Sequence, residues 1–153
     1  MYTVATAVYA YRKALDLLKL AGKEYRLDPT LLKELDKISH RPYSTGFLFG
    51  RKANVSLKGV SYSDKYLFVG IVQSYDLTSK EAVVGVRNQI LLGQSAEVMQ
   101  PKDETLNIVI NEMVENDTGW PLKSAHANST VRIPMPKVKP MSIIRVAKNK
   151  PQK

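Results

Sequence analysis

The sequence predicts a mainly β protein, an all-β barrel or sandwich preceded by two α-helices. Two stretches near the N-terminus repeat apolar residues at the period of an α-helix. From residue 66 onward, short runs of β-branched and aromatic residues alternate with turn residues. Gly70 and Gly85 fall inside two of these runs, which is typical of strands that bend sharply or carry a bulge.

The first helix is predicted over residues 3–20. Its apolar residues are spaced three and four apart, which places them on one helix face, and Gly22 follows where a C-terminal cap belongs. No capping Asp, Ser or Asn precedes the first turn, so we expect the chain to be cut from something longer. The apolar face must then cover the barrel, pair with another copy or stay exposed. This face consists of Val4, Val8, Tyr11, Leu15 and Leu18.

The second helix is predicted over residues 29–38. Asp28 can cap it, and Pro29 suits the first helical position, where a missing N–H costs nothing. Pro42 prevents the helix from continuing into the polar segment that follows. One side of this helix is lined by Leu31, Leu32, Leu35 and Ile38.

A β-hairpin is predicted over residues 66–75 and 82–87, because two runs of β-forming residues flank a polar turn. Trp120, between a glycine and a proline, is expected to plug one end of the barrel. Proline cannot donate to a strand ladder, so the late prolines should confine the last strands to sheet edges. Those prolines are Pro134, Pro136 and Pro140. The further strands are predicted at residues 96–99, 105–114, 130–135 and 142–146.

Composition favours one soluble domain with an anionic partner. The 153 residues include 23 Lys and Arg against 14 Asp and Glu, a net charge of +9, which suits RNA, DNA or membrane headgroups. Cysteine is absent, which excludes disulfides, iron–sulfur clusters, cysteine-bound zinc and a catalytic thiol. The longest apolar run, residues 67–72, is far too short to span a membrane, so a cytoplasmic location is expected.

The positive charge is concentrated near the C-terminus. Residues 123–153 contain eight basic residues and no acidic one, whereas the preceding residues carry a net charge of +1. This pattern indicates either a basic strand edge and tail that contact phosphate, or a solubilising and partly frayed terminus.

The two histidines, His40 and His126, lie 86 positions apart without a cluster of acidic residues beside them. We therefore expect no metal, no cofactor and no catalysis by this chain alone. His40 and Arg41 follow the second predicted helix, where they could brace its free carbonyls or face an RNA phosphate or another domain. Arg87 and Asn88 sit at a strand end near several tyrosines, which could stack on bases or simply pack in the sheet. Those tyrosines are Tyr62, Tyr66 and Tyr75.

Three spaced groups of residues carry a family resemblance. The first lies in the opening helix, as Val4-Ala5-Thr6, Ala10-Tyr11-Arg12 and Ala14-Leu15-Asp16. The second is Ser39-His40-Arg41, Tyr43 and Thr45-Gly46-Phe47. The third runs through Tyr66, Phe68-Val69-Gly70, Val72, Tyr75-Asp76, Val86-Arg87-Asn88, Gly93, Glu97-Val98 and Pro101. Together they resemble the C-terminal region of peptidase family U32, the collagenase-like proteins that include bacterial proteins of prephenate-dependent tRNA and rRNA hydroxylation. One departure is Gln94, where the family usually has Asp after the glycine of the turn.

The resemblance implies a small closed β-barrel similar to the second domain of translation elongation factors, following a large catalytic region. It divides the chain into a linker helix from that missing region (1–27), a short helix and loop (28–46), the C-terminal β-barrel (47–147) and a basic tail (148–153). The catalytic region, in cis or in trans, is then the expected partner, with self-association through the first helix as a further possibility.

The resemblance also implies a function: an accessory lid or substrate-binding domain that assists RNA modification by binding tRNA through a basic face. The alternatives are an exosite of a collagenase-like peptidase and a purely structural cap without a ligand. The parent protein would be a peptidase, another hydrolase or an RNA hydroxylase. The candidate RNA-binding or domain-interface residues are His40, Arg41, Tyr43, Arg87, Asn88, Arg132, Lys137, Lys139 and Arg145.

Overall fold

The computed structural model describes residues 2–40, 43, 47–48, 50 and 65–148. The chain divides into two compact units, a helical unit within residues 1–65 and a β unit within residues 66–153.

The helical unit contains the two predicted helices, α1 (Tyr2–Ala21) and α2 (Pro29–Leu35), which pack against each other. A single 3-10 turn, Gly22–Glu24, follows α1, and Gly22 has a φ of 54°, a conformation that glycine adopts without a steric penalty. At the start of α2, a carboxylate oxygen of Asp28 accepts the backbone N–H of Thr30 at 2.8 Å, as the sequence predicts. Both helices are confirmed, although α2 ends three residues earlier than predicted.

The predicted apolar face of α1 points away from the packed side of the helix. The small side chains of Thr6 and Ala10 are buried, 0% and 3% exposed. The five residues of the apolar face are each between 43% and 67% exposed. Within the helical unit this face is therefore not covered. We call it the α1 stripe: Val4, Val8, Tyr11, Leu15 and Leu18.

The β unit is built around one curled antiparallel sheet, which confirms a mainly β protein with two helices. The order of strands in this sheet is β5-β4-β9-β1-β2-β8-β6, and β3 pairs separately with β7. The hairpin predicted from the sequence is β1–β2, and Asp76 pairs with Glu81 across its polar turn. The strands are β1 (Tyr66–Asp76), β2 (Glu81–Val86), β3 (Ile90–Leu91), β4 (Ser95–Met99), β5 (Leu106–Val109), β6 (Val114–Glu115), β7 (Ser124–Ala125), β8 (Thr130–Pro134) and β9 (Ile143–Ala147).

The long strand β1 curls the sheet. It pairs with β2 on one side and β9 on the other, and its register shifts between Phe68 and Gly70 and again between Val72 and Ser74. Such bulges bend a strand and increase its twist. The concave side holds the apolar core, which includes Val69, Val72, Val84, Val86, Val98, Val131, Ile133 and Ile144.

One detail of the predicted barrel is not shown by the structure, and another is contradicted by it. Among the described strands no pairing joins β5 to β6, so the sheet is an open half-barrel; a closed barrel and the likeness to the elongation-factor domain stay predictions. The prediction that the late prolines place their strands at sheet edges is wrong, because β8 and β9 are interior strands. Pro134 is the last residue of β8, and Pro136 and Pro140 lie outside the strands, so none of them removes a donor from the middle of a ladder.

Trp120 does not plug the sheet, contrary to the prediction from the sequence. Its side chain is 72% exposed, while Ile110 and Met113 are buried in the core at 0% and 2%. The turn after β6 brings the Trp120 carbonyl back to accept the Glu115 N–H at 2.9 Å, which fixes the backbone and leaves the indole outside.

The turn at Gly93 is intact despite the departure from the family pattern. Gly93 has a φ of 80°, and the Gln94 side-chain oxygen accepts the Leu91 N–H at 3.2 Å. Gln94 thus supplies the acceptor that an Asp would offer at this turn. Within the described residues, no helix combines the length and the apolar character required to cross a membrane.

Candidate functional site

The late basic residues are largely balanced by acidic residues from earlier in the chain. Arg132 lies 3.4 Å from Glu81, and the Lys139 ammonium lies 2.8 Å from Asp103. Between residues 66 and 148 the chain has nine basic and eight acidic residues. The concentration of charge seen along the sequence therefore does not by itself produce a uniformly basic surface on the β unit.

Arg145 is held inside the protein. Its side chain is 0% exposed, its Nε and terminal nitrogen donate to one carboxylate oxygen of Glu97 at 2.9 and 2.7 Å, and its guanidinium lies 5.4 Å from the centre of the Tyr66 ring. The Tyr66 hydroxyl donates to the other Glu97 oxygen at 2.9 Å. The guanidinium is not presented at the surface, so Arg145 is not available to an RNA phosphate.

Asn88 stabilises the backbone just after β2. Its side-chain amide donates to the Phe68 carbonyl at 2.7 Å, and its backbone N–H donates to Val69 at 3.2 Å. Arg87 also donates its backbone N–H to Val69, at 2.8 Å, and its side chain is exposed. Arg87 therefore stays available to an external ligand, whereas the Asn88 amide is already engaged.

Tyr66 and Tyr75 pack in the sheet. Both are partly buried, and the Tyr75 hydroxyl donates to the Met135 carbonyl at 3.0 Å while its ring packs against the core. Neither is a free stacking platform for bases, so the packing interpretation holds for these two. Tyr62 lies outside the described residues.

His40 and Tyr43 brace the end of α2. The Tyr43 hydroxyl donates to the Leu35 carbonyl at 2.9 Å, its ring stacks on His40 with 4.0 Å between centroids, and His40 lies 3.4 Å from an Asp36 oxygen. Burial, followed by the nearby Asp36 charge, raises the pKa of Tyr43. These contacts favour the structural interpretation of the segment; Arg41 lies outside the described residues.

Three basic residues lie on the segments that meet where β8 ends beside the β1–β2 turn. The Met135 N–H donates to the Lys80 carbonyl at 3.2 Å, and Glu81 pairs with Pro134 across the sheet, which places Lys80 next to the segment that carries Lys137. Lys80 and Lys137 are exposed, and neither has an acidic partner within the described part of the chain. We call Lys80, Arg132 and Lys137 the β8 rim. Sequence reasoning found two of its members and missed Lys80, whose position depends on strand pairing.

The rim borders a shallow apolar groove. Its floor and walls are Tyr75, Leu77, Met135 and the prolines at 134 and 136. Chemically, this arrangement can hold an anion beside an apolar group. Among the described residues, no three His, Asp or Glu side chains come together as metal ligands.

Two family models match the chain. Residues 64–145 match the model described as "Peptidase family U32 C-terminal domain", and residues 1–58 match the model described as "Peptidase family U32".

Three curated bacterial proteins are similar to the chain. The tRNA hydroxylation protein P of Haemophilus influenzae is 34% identical over 122 residues, 76% of this chain. The tRNA hydroxylation protein P of Escherichia coli is 34% identical over 140 residues, 88% of the chain. The tRNA hydroxylation protein P1 of Bacillus subtilis is 26% identical over 151 residues, 97% of the chain. The matched region makes up only 26%, 29% and 36% of these relatives.

Among solved structures, the C-terminal domain of a U32 peptidase from Geobacillus thermoleovorans is similar. It is 26% identical, has a TM-score of 0.48, and covers 54% of this chain and 92% of its own.

Proposed function

Because the chain belongs to peptidase family U32 and carries its C-terminal domain at residues 64–145, we propose that it is an accessory domain in tRNA modification that binds RNA. The supporting observation is its 34% identity with two tRNA hydroxylation proteins over most of its length. Such a ligand would place the chain in the cytoplasm. Hydroxylation itself would belong to the region of the relatives that this chain does not span.

The contact with RNA is made through the β8 rim. Lys80 and Lys137 line the same groove, Arg132 lies in the adjoining strand β8, and the two lysines have no competing carboxylate within the described residues. Phosphate neutralisation by Lys and Arg supplies most of the affinity of sequence-independent nucleic-acid binding. Arg132 keeps Glu81 as a partner, so its share of the phosphate contact is smaller than that of the two lysines.

Neutralising the rim is expected to weaken binding of unmodified tRNA. A variant with K80Q, R132Q and K137Q should lose at least about tenfold in affinity at about 50 mM salt, because three phosphate contacts disappear. Fluorescence anisotropy of labelled tRNA measures the change. The matched control neutralises three exposed lysines of the helical unit, K19Q, K23Q and K33Q, and should lose less than about twofold.

Equal losses in the two triple variants would contradict the assignment of binding to the rim. If the wild-type chain binds no tRNA at low salt, the RNA proposal is wrong. Binding of gelatin in its place would favour the peptidase exosite, and binding of neither would favour a structural cap.

We also propose that the α1 stripe docks on the catalytic region of the family. The stripe is an exposed apolar face, and it lies within the segment that matches the U32 peptidase model rather than its C-terminal domain. Exposed apolar patches of this kind mark interaction surfaces. A stretch of the curated relatives that this chain does not span is therefore the proposed occupant.

Mixing the chain with the unmatched N-terminal part of the Escherichia coli relative should give a faster-sedimenting complex. The substitution L15E in the α1 stripe should abolish the complex, because it places a charge in the apolar contact. Leu20 is 85% exposed but lies off the stripe, so L20E is the matched control and should leave the complex intact. If the chain alone gains mass with concentration and L15E prevents this, a second copy is the occupant and the proposal fails.

A further inference from the structure

The groove beside the β8 rim has the size of a small-ligand site. Its volume is about 500 Å³, and Leu77, 65% exposed, forms one wall while Met135, 7% exposed, forms the floor. Pockets that take small ligands are typically apolar with a few placed polar groups, and this groove has that composition, with Lys80 and Lys137 at its margin.

Hydrogen bonds hold the groove in shape. The Tyr75 hydroxyl donates to the Met135 carbonyl at 3.0 Å, and the Met135 N–H donates to the Lys80 carbonyl at 3.2 Å. Two prolines flank Met135, so that side of the groove offers no backbone donors at those positions and stays apolar. The end of β1, the hairpin turn and the segment after β8 are thus tied together before any ligand arrives.

The nearby carboxylates are already engaged. Asp76 accepts the Thr78 N–H at 2.8 Å, a bond that lowers the pKa of Asp76, and Glu81 lies 3.4 Å from Arg132. Asp76 thus stays ionised and offsets one of the two lysine charges, so Lys80 and Lys137 together leave the groove with a net positive charge. A shallow apolar groove with two cations at its margin suits a flat apolar group that carries negative charges.

We propose that this groove takes one unpaired nucleotide of the bound RNA, with its base against Leu77 and Met135 and its flanking phosphates at Lys80 and Lys137. This inference rests on the RNA binding proposed above and adds the site of a single-stranded segment. A nucleotide matches both features of the groove, because every base has an apolar face and every linkage carries one charge.

The methionine methyl groups report directly on whether a ligand occupies the groove. The chain has five methionines, of which Met135 lines the groove and Met113 is buried in the core at 2% exposure. In methyl NMR of the whole chain, a hexauridine RNA should shift the Met135 signal and leave Met113 in place. A hexamer of abasic ribose phosphates should bind more weakly and should not shift Met135.

Two variants distinguish the contribution of the base to the affinity from that of the phosphates. Leu77 lies in an exposed turn. The substitution L77S should weaken hexauridine binding at least about fivefold, which is the low end for the loss of one base contact. It should not change the affinity for the abasic strand. K80Q with K137Q should reduce the slope of log affinity against log salt by about 1.4, since each phosphate contact on a single strand contributes about 0.7. The control pair K102Q and K123Q, two other exposed lysines, should leave that slope unchanged.

The outcomes are distinct. If the chain binds tRNA but Met135 stays unshifted and the L77S and K80Q/K137Q variants match their controls, the groove assignment is overturned and RNA binding stands. If no RNA binds, both proposals fall. If polyglutamate shifts Met135 as strongly as hexauridine does, the groove takes an acidic peptide and the nucleotide assignment is wrong.

Discussion

Replacing Glu97 with alanine is expected to lower the free energy of unfolding of the β unit by about 3–5 kcal/mol. Arg145 is 0% exposed, so removing the carboxylate takes two short hydrogen bonds and a negative charge away from a buried guanidinium. The same change removes the acceptor of the Tyr66 hydroxyl, 2.9 Å away. Urea denaturation of the wild type and E97A measures the difference.

The surface pair of Lys139 and Asp103 provides the matched control. Its nitrogen–oxygen distance is 2.8 Å, close to that of the buried pair, but its side chains are 51% and 44% exposed. D103A should therefore cost less than about 1 kcal/mol. Replacing Glu97 and Arg145 together with methionine should recover most of the stability, because the buried guanidinium is then removed along with the carboxylate. Equal losses for E97A and D103A would contradict a buried ion pair.

Gly70 to alanine is expected to destabilise the sheet by about 1–3 kcal/mol. A Cβ at this position would lie 2.7 Å from a methyl carbon of Val84 and 3.3 Å from the carbonyl oxygen of Gly85. Val84 is buried in the core and Gly85 is part of the paired strand β2, so neither can move without disturbing the ladder. The free energy of unfolding in urea gives the measurement.

Gly85 to alanine is the control in the neighbouring strand. A Cβ there would also meet an atom at 2.7 Å, but that atom is Nε2 of Gln73, the end of an exposed and flexible side chain. Gln73 can rotate away, so G85A should change stability by no more than about 0.5 kcal/mol. If G70A lowers the free energy of unfolding as little as G85A does, Gly70 in β1 does not pack closely against β2.

The helices and the hairpin of this fold could be predicted from the sequence more fully than the arrangement of its strands in the sheet. Apolar spacing predicted α1, Asp28 and Pro29 predicted the start of α2, and alternating β-formers predicted the β1–β2 hairpin. The strands of two residues, β3, β6 and β7, were not predicted as separate strands, because two residues carry no periodicity.

Sheet order was harder to predict because it depends on distant pairing. The late prolines suggested edge strands, yet their positions at or beyond strand ends allow β8 and β9 to lie inside the sheet. Trp120 is predicted to plug one end of the barrel, but the turn after β6 fixes its backbone and leaves its side chain exposed.

Only part of the candidate site could be predicted from the sequence. Lys137 stood out in a basic stretch, but Lys80 and Leu77 lie more than 50 positions earlier and reach it only through the β2–β8 pairing. The same pairing gives Arg132 its acidic partner, Glu81. Charge counted along the chain reveals neither that balance nor the burial of Arg145 against Glu97.

The salt dependence of tRNA binding by the wild-type chain tests the central claim most directly. If the β8 rim neutralises three phosphates, the slope of log affinity against log salt should be about −2 or steeper between about 50 and 200 mM. That slope corresponds to a loss of at least about fifteenfold in affinity over this range. No binding at the lowest salt, or an affinity that does not change with salt, would contradict an RNA-binding accessory domain.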